Sequence, residues 1–179
     1  IGSGSPLMLV HGYLGGQFMW QFQEPLQDDF ELIMPSLAGY GESAHLEAPS
    51  SIPGNVDDIF RLLDHLEIDK VDLLGHSMGG MVVQEMAANR PERINRLICL
   101  GTGSMGVLPN RFEPIEESRR KILNLGLEHA RENIARTWFL NPDFEAGLSL
   151  CQSEGAKATK QAALASLEAW EHWDGREQL

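Results

Sequence analysis

Basic side chains are scarce in this sequence: 14 Lys and Arg stand against 26 Asp and Glu over 179 residues, for a formal charge of -12. A surface of that sign repels phosphate backbones, which excludes nucleic acid as an expected partner. The acids fall in short groups such as Asp28-Asp29, Asp57-Asp58 and Glu116-Glu117 and read as a solvated surface. Cysteine is limited to Cys99 and Cys151, too few and too far apart for a metal knuckle, a redox pair or a disulfide framework. Cys99 lies in the apolar run "RLICLG" and reads as a small core residue. No apolar run approaches the roughly 20 residues that span a bilayer, and no charged segment followed by an apolar one marks a signal peptide. A cytoplasmic location is the expectation. Since the first residue is Ile1, chain preceding it is also expected.

What is present is the composition of an ordinary globular protein, 42% apolar and 22% charged, enough for one substantial core. Short apolar runs alternate with helix-like segments: "PLMLVHG" (6–12), "FELIMPS" (30–36), "KVDLLGHS" (70–77) and "RINRLICLG" (93–101) read as strands. Between them, residues 15–26 and 78–90 read as helices. So does "NVDDIFRLLDHLEI", where Val56, Ile59, Phe60, Leu63 and Leu66 recur at helical spacing. Nearly continuous apolar strands separated by helices predict an α/β protein with a mostly parallel sheet covered on both faces. After Gly101 the periodicity is helical over 111–139 and 156–173, with breaks expected at 141–147 and around Gly155.

The segment "LLGHSMGG" (73–80) places a Gly-x-Ser-x-Gly pattern between a predicted strand and a predicted helix, the context that makes such a match informative. Its glycines permit a sharp turn that would leave Ser77 exposed at the end of the strand as a nucleophile. Upstream, "LVHGYLGG" (9–16) ends another strand in a His11-Gly12 turn; the Tyr13 N–H and the Met78 N–H could together form an oxyanion hole. "SLAGYGES" (36–43) adds a third glycine-rich loop at the same edge.

These three segments, in this order, resemble the α/β-hydrolase family, and more narrowly its esterase, lactonase, perhydrolase and carbon-carbon-bond hydrolase members. The resemblance is strong over residues 6–101 and implies a core over 1–104, a helical cap over 105–173 and the start of a return to the core over 174–179. It implies Ser77 as nucleophile, Tyr13 and Met78 as oxyanion donors, and no metal or organic cofactor. His11, Gly12, His76 and Trp138 are expected to border the substrate. Members with an aspartate nucleophile, the dehalogenases and epoxide hydrolases, are disfavoured because this position is serine.

The family's chain order is nucleophile, acid, histidine. Of the six histidines, only His129 and His172 follow Ser77, and both fall in helix-like cap segments; Asp143 and Asp174 also lie in the cap region. The acid and histidine are therefore expected outside this sequence, in chain carrying further strands. A degenerate binding protein, or a chain completed by another polypeptide, are the alternatives; loss of strands would leave an exposed sheet edge. Phe112, Trp138, Phe139, Phe144, Trp170 and Trp173 gather in the cap, with Met19, Trp20, Met81 and Met105 as further candidates for the pocket. Each ring alone reads as core, but together they favour a hydrophobic small-molecule ester or acyl substrate. The expected function is serine hydrolysis of an ester, lactone or related acyl compound. Its rivals are ligand binding without catalysis and a cofactor-free haloperoxidase-like or acyl-transfer activity. Oligomeric state is not legible.

Overall fold

The computed structural model describes residues 1–109, 113–140 and 145–177. Phe112, Asp143 and Phe144 lie outside them. Four strands form one parallel sheet: β1 (Ser5–Val10), β2 (Phe30–Ile33), β3 (Val71–His76) and β4 (Ile94–Leu100), in the order β2-β1-β3-β4. A 3-10 segment, Gln17–Asp28, links β1 to β2, α1 (Ile52–His65) links β2 to β3, and α2 (Met78–Asn89) links β3 to β4.

Alternation along the strands divides the core into two layers. Met8, Val10, Val71 and Leu73 pack with α1 and α2, whereas Leu7, Leu9 and Leu32 pack with Trp20 of the 3-10 segment. The local signals for α1 are explicit. Ser51 accepts the Gly54 N–H at 3.1 Å as N-cap, Pro53 sits in the first turn, and Ile52, Val56, Ile59, Phe60 and Leu63 form the buried stripe.

The fourth strand departs from the sequence reading. Ile94 and Leu97 are half-buried against the core, but Ile98 is 47% and Leu100 50% exposed, and Cys99 is exposed as well. β4 pairs with β3 on one side only among the described residues. The run is as apolar as that of a strand flanked on both sides, and its second side is uncovered among the described residues.

Four helices follow: α3 (Ile115–Leu125), α4 (Leu127–Thr137), α5 (Glu145–Ala156) and α6 (Lys160–Glu171). Gly126, at φ 86°, separates α3 from α4. The expected break at Gly155 falls slightly later, because α5 runs to Ala156 and Thr159 caps α6 by accepting the Ala162 N–H at 3.0 Å. The chain leaves and rejoins at one place. Met105 and Asp174 form an antiparallel bridge, flanked by bonds from the Gly106 N–H to the Trp173 carbonyl at 3.0 Å and from the Gly175 N–H to the Ser104 carbonyl at 2.8 Å. No described helix is long and apolar enough to cross a membrane.

Strand order fixes where a site can form. The connection after β1 runs to β2 on one side and the connection after β3 runs to β4 on the other, so a crevice opens at the C-terminal ends of β1 and β3. The turns after those strands begin with His11 and Ser77.

Candidate active site

Ser77 connects β3 to α2 with φ 52° and ψ -118°, one of three non-glycine residues at positive φ among the described residues. Such a conformation costs of order 1–3 kcal/mol and persists only where the surroundings impose it. Here they do. The Ser77 N–H donates to the Leu100 carbonyl at 3.0 Å, and the Gly80 N–H donates back to the Ser77 carbonyl at 2.9 Å. The glycines of the motif are required by close approach: a Cβ on Gly75 would lie 2.3 Å from the Gly79 carbonyl oxygen. One on Gly79 would lie 2.3 Å from that of Val10, and one on Gly80 2.5 Å from the Thr102 side chain. The tight turn thus lays α2 directly against the end of β1. It leaves the Ser77 hydroxyl half-buried and bonded to no side chain among the described residues.

The turn after β1 is built around His11. Its ring is 1% exposed; Nε2 accepts the Leu37 N–H at 2.9 Å, and Nδ1 lies 2.8 Å from the Gly12 carbonyl oxygen. The accepting Nε2 puts the proton on Nδ1, which donates to Gly12. His11 therefore ties the turn to the loop after β2 and stands behind the site, not in the cavity wall that the sequence suggests. Burial pushes its pKa down to about 4 from 6.5, the Gly12 bond opposing and neighbouring His76 adding to the fall. The folded protein holds His11 neutral, whereas the unfolded chain takes up a proton below pH 6.5. Its contribution, about 3 kcal/mol, is complete above that pH and lost as pH falls from 6.5 to about 4. Urea titrations of the native protein and His11→Gln across that window should differ in pH dependence by this amount; parallel curves would refute the assignment.

Tyr13 and Gly12 occupy the rim between the two turns. A Cβ on Gly12 would meet the Ser77 Cβ at 3.0 Å, so the turns are in contact. Met78 is the first residue of α2, where N–H groups have no intrahelical acceptor, and its side chain is fully buried. The Tyr13 ring packs edge-on against Trp170, with centroids 4.8 Å apart.

Two cavities meet at this point. One, of about 240 Å³, is lined by Tyr13, Ser77, Met81, Leu108, Ile134 and Trp170 among others. The second, of about 420 Å³, is lined by Gly12, Tyr13, Met19, His76, Ser77 and Cys151 among others. Tyr13, Ser77 and Trp138 belong to both walls. The first is chiefly apolar; the second adds His76, whose ring is kept neutral-leaning by burial, which lowers its pKa. Gly12, Tyr13, His76, Ser77 and Trp138 are thus brought together, and Met78 lies directly behind Ser77.

Other candidates fall elsewhere. His45, His65, His129 and His172 are exposed and line neither cavity. Asp174 is engaged by Arg176, whose hydrogen bonds pull its carboxyl down to about 2. Trp173 is core: its Nε1–H donates to buried Glu85 on α2 at 2.9 Å. Trp20 packs beneath the sheet. The loop "LAGYG" serves as a dock for α6, where a Cβ on Gly39 would meet Ala162 at 2.3 Å and the Tyr40 hydroxyl bonds Ser166 at 2.7 Å. Sequence reasoning missed Cys151 and Ile134 as wall residues; helical spacing gives no signal for which face meets a cavity. Among the described residues no cluster of His, Cys, Asp and Glu could hold a metal ion.

Residues 5–136 match the family model for the alpha/beta hydrolase fold. The chain is 38% identical over 104 residues to the dihydrolipoyllysine-residue acetyltransferase component of an acetoin cleaving system from Pseudomonas putida, covering 58% of this chain and 28% of that protein. It is 34% identical over 112 residues to 2-hydroxymuconate semialdehyde hydrolase from a Pseudomonas species, covering 58% of this chain and 38% of the relative. The matched stretch thus spans about a third of these relatives' length. Among solved structures, the enol-lactonase from Burkholderia xenovorans superposes with a TM-score of 0.88 at 22% identity, over 99% of this chain and 68% of that one. At that identity the likeness is one of fold.

Proposed function

This chain belongs to the α/β-hydrolase family, and on that premise we propose that it is a serine hydrolase of carboxylic esters, lactones or related acyl compounds. The observation that carries the reading is Ser77: a strained residue at the C-terminal end of a central strand, at the junction of two cavities, with a helix N-terminus beside it. Fold alone would not assign an activity.

In the proposed reaction the Ser77 oxygen attacks the substrate carbonyl, and its proton passes to a general base. The carbonyl oxygen gains negative charge and is held by the Tyr13 and Met78 N–H groups, the second aided by the positive end of α2. Collapse of this intermediate expels the alcohol, which takes up a proton, and leaves an ester on Ser77. Water then attacks that ester, releasing the acid and restoring the hydroxyl. None of the four exposed histidines lines Ser77's cavities, His11 is engaged by backbone, and among the described residues His76 forms no hydrogen bond with Ser77. The reading therefore assigns the base and its acid to polypeptide outside this stretch. It likewise treats 1–104 as core, 105–173 as cap and 174–179 as the return.

The apolar smaller cavity suits an acyl group, and the larger one suits the leaving group and water. Trp138, at the end of α4 and shared by both walls, divides them. Trp138→Ala in the full-length protein should raise the ratio of kcat/KM for a long-chain over a short-chain p-nitrophenyl ester by up to about tenfold, the low end of what a pocket group contributes, since the ring is 39% exposed. An unchanged ratio would remove Trp138 from the specificity wall. The reading itself is tested by treating the full-length protein with a fluorophosphonate probe and mapping the adduct, which is expected on Ser77.

A further inference from the structure

We infer that Glu154 is a positioning residue: from α5 it caps the 3-10 segment Gln17–Asp28 and thereby fixes the turn that presents the Tyr13 N–H. The inference rests on the reading of Ser77 as nucleophile, since only then does that N–H have an oxyanion to hold.

Glu154 is 1% exposed, an uncommon state for a carboxylate. Its Oε2 accepts the Phe18 N–H at 3.3 Å, while the preceding N–H, of Gln17, goes to the Ser36 hydroxyl at 3.2 Å. These belong to the first turn of the 3-10 segment, whose N-cap is Gly16 and has no side chain to offer. N–H groups at a helix start need acceptors, and the positive end of the helix favours an anion. The sequence places no acid there, so one arrives from 136 residues away.

The contact is close and balanced. A Cβ on Gly16 would lie 2.3 Å from the Glu154 Oε2, so glycine is what allows the carboxylate to approach. The other oxygen, Oε1, pairs with Lys157 Nζ at 2.9 Å; that ammonium also lies 3.4 Å from Glu42 and 4.6 Å from the Phe18 ring centroid. A buried carboxylate is costly without such partners. Upstream, the Gly15 N–H closes on the Gly12 carbonyl at 3.1 Å, and Leu14 sits at φ 55°. The turn is therefore pinned at its start by His11 and at its end by Glu154, with Tyr13 between. Pinning from both sides suits a donor that must stand ready before the charge develops.

Hydrogen exchange and kinetics on Glu154→Ala and Glu154→Gln test this. In Glu154→Ala, amides of residues 12–18 should exchange at least about tenfold faster while those of β3 and α2 keep their native rates. In the full-length protein, turnover of a p-nitrophenyl ester should fall about 10- to 100-fold in kcat with KM held within about twofold. Glu154→Gln, which keeps an acceptor oxygen, should recover most of both. Native exchange at 12–18, acceleration throughout the chain, or local acceleration with native kcat would each overturn the inference. Ser77→Ala run alongside separates the two readings: turnover surviving in it removes the serine nucleophile, whereas the exchange at 12–18 judges the Glu154 cap independently of any chemistry.

Discussion

Replacing Ser77 by alanine in the full-length protein is expected to abolish covalent labelling by a fluorophosphonate probe and to lower acyl hydrolysis by about 1,000-fold or more. The magnitude follows from what is removed. The proposed route runs through an ester on that oxygen, so no partial function is left for the side chain to perform. What survives is the binding of substrate and the oxyanion donors, both supplied by backbone. The fold should be unaffected, because the hydroxyl is bonded to no side chain among the described residues and the turn is held by the Leu100 and Gly80 backbone bonds. Circular dichroism should match the native protein. Labelling that persists would mean that another serine is the nucleophile.

Gly79→Val is expected to prevent folding. The first carbon of the new side chain would lie 2.3 Å from the Val10 carbonyl oxygen and 2.5 Å from that of His11. Neither can retreat: Val10 ends the central strand β1, and His11 is held by two backbone bonds. Ordinary overpacking costs about 1–3 kcal/mol, but here backbone opposes backbone. A cost above about 5 kcal/mol would consume much of a typical domain's stability. Gly155→Ala is the matched control, since its Cβ would approach nothing nearer than the Leu14 carbonyl oxygen at 3.4 Å, an ordinary contact, inside a helix where alanine is preferred. Soluble Gly79→Val with a native melting temperature would show that α2 does not pack against β1 as described.

The parts of this molecule that were readable from sequence are those governed by neighbours along the chain. The four strands, the Gly75-to-Gly80 turn and the stripe on α1 all follow from local spacing, and each stands within a few residues of its expected place. The parts that were not readable depend on distant partners. "RLICLG" looks like core because strand composition does not say what lies on the far side; among the described residues β4 pairs with β3 alone and Cys99 is exposed. Glu154 and Lys157 are legible as a helical ion pair three residues apart, but nothing in "SEGAK" tells that the carboxylate is buried against Gly16. Trp173, taken singly, reads as core, and it is; what the sequence does not tell is that its indole bonds buried Glu85. His11 passes for a pocket residue until Leu37 supplies the second bond to its ring.

The backbone at Ser77 carries a consequence for anyone who evolves or engineers this protein. At φ 52° and ψ -118° glycine would be the comfortable occupant. Folding and chemistry therefore pull this position in opposite directions, as stability and activity commonly do. A laboratory selection that rewards heat resistance alone would drift toward glycine and enrich well-folded, inert descendants. Keeping a serine there requires that turnover be scored in every round.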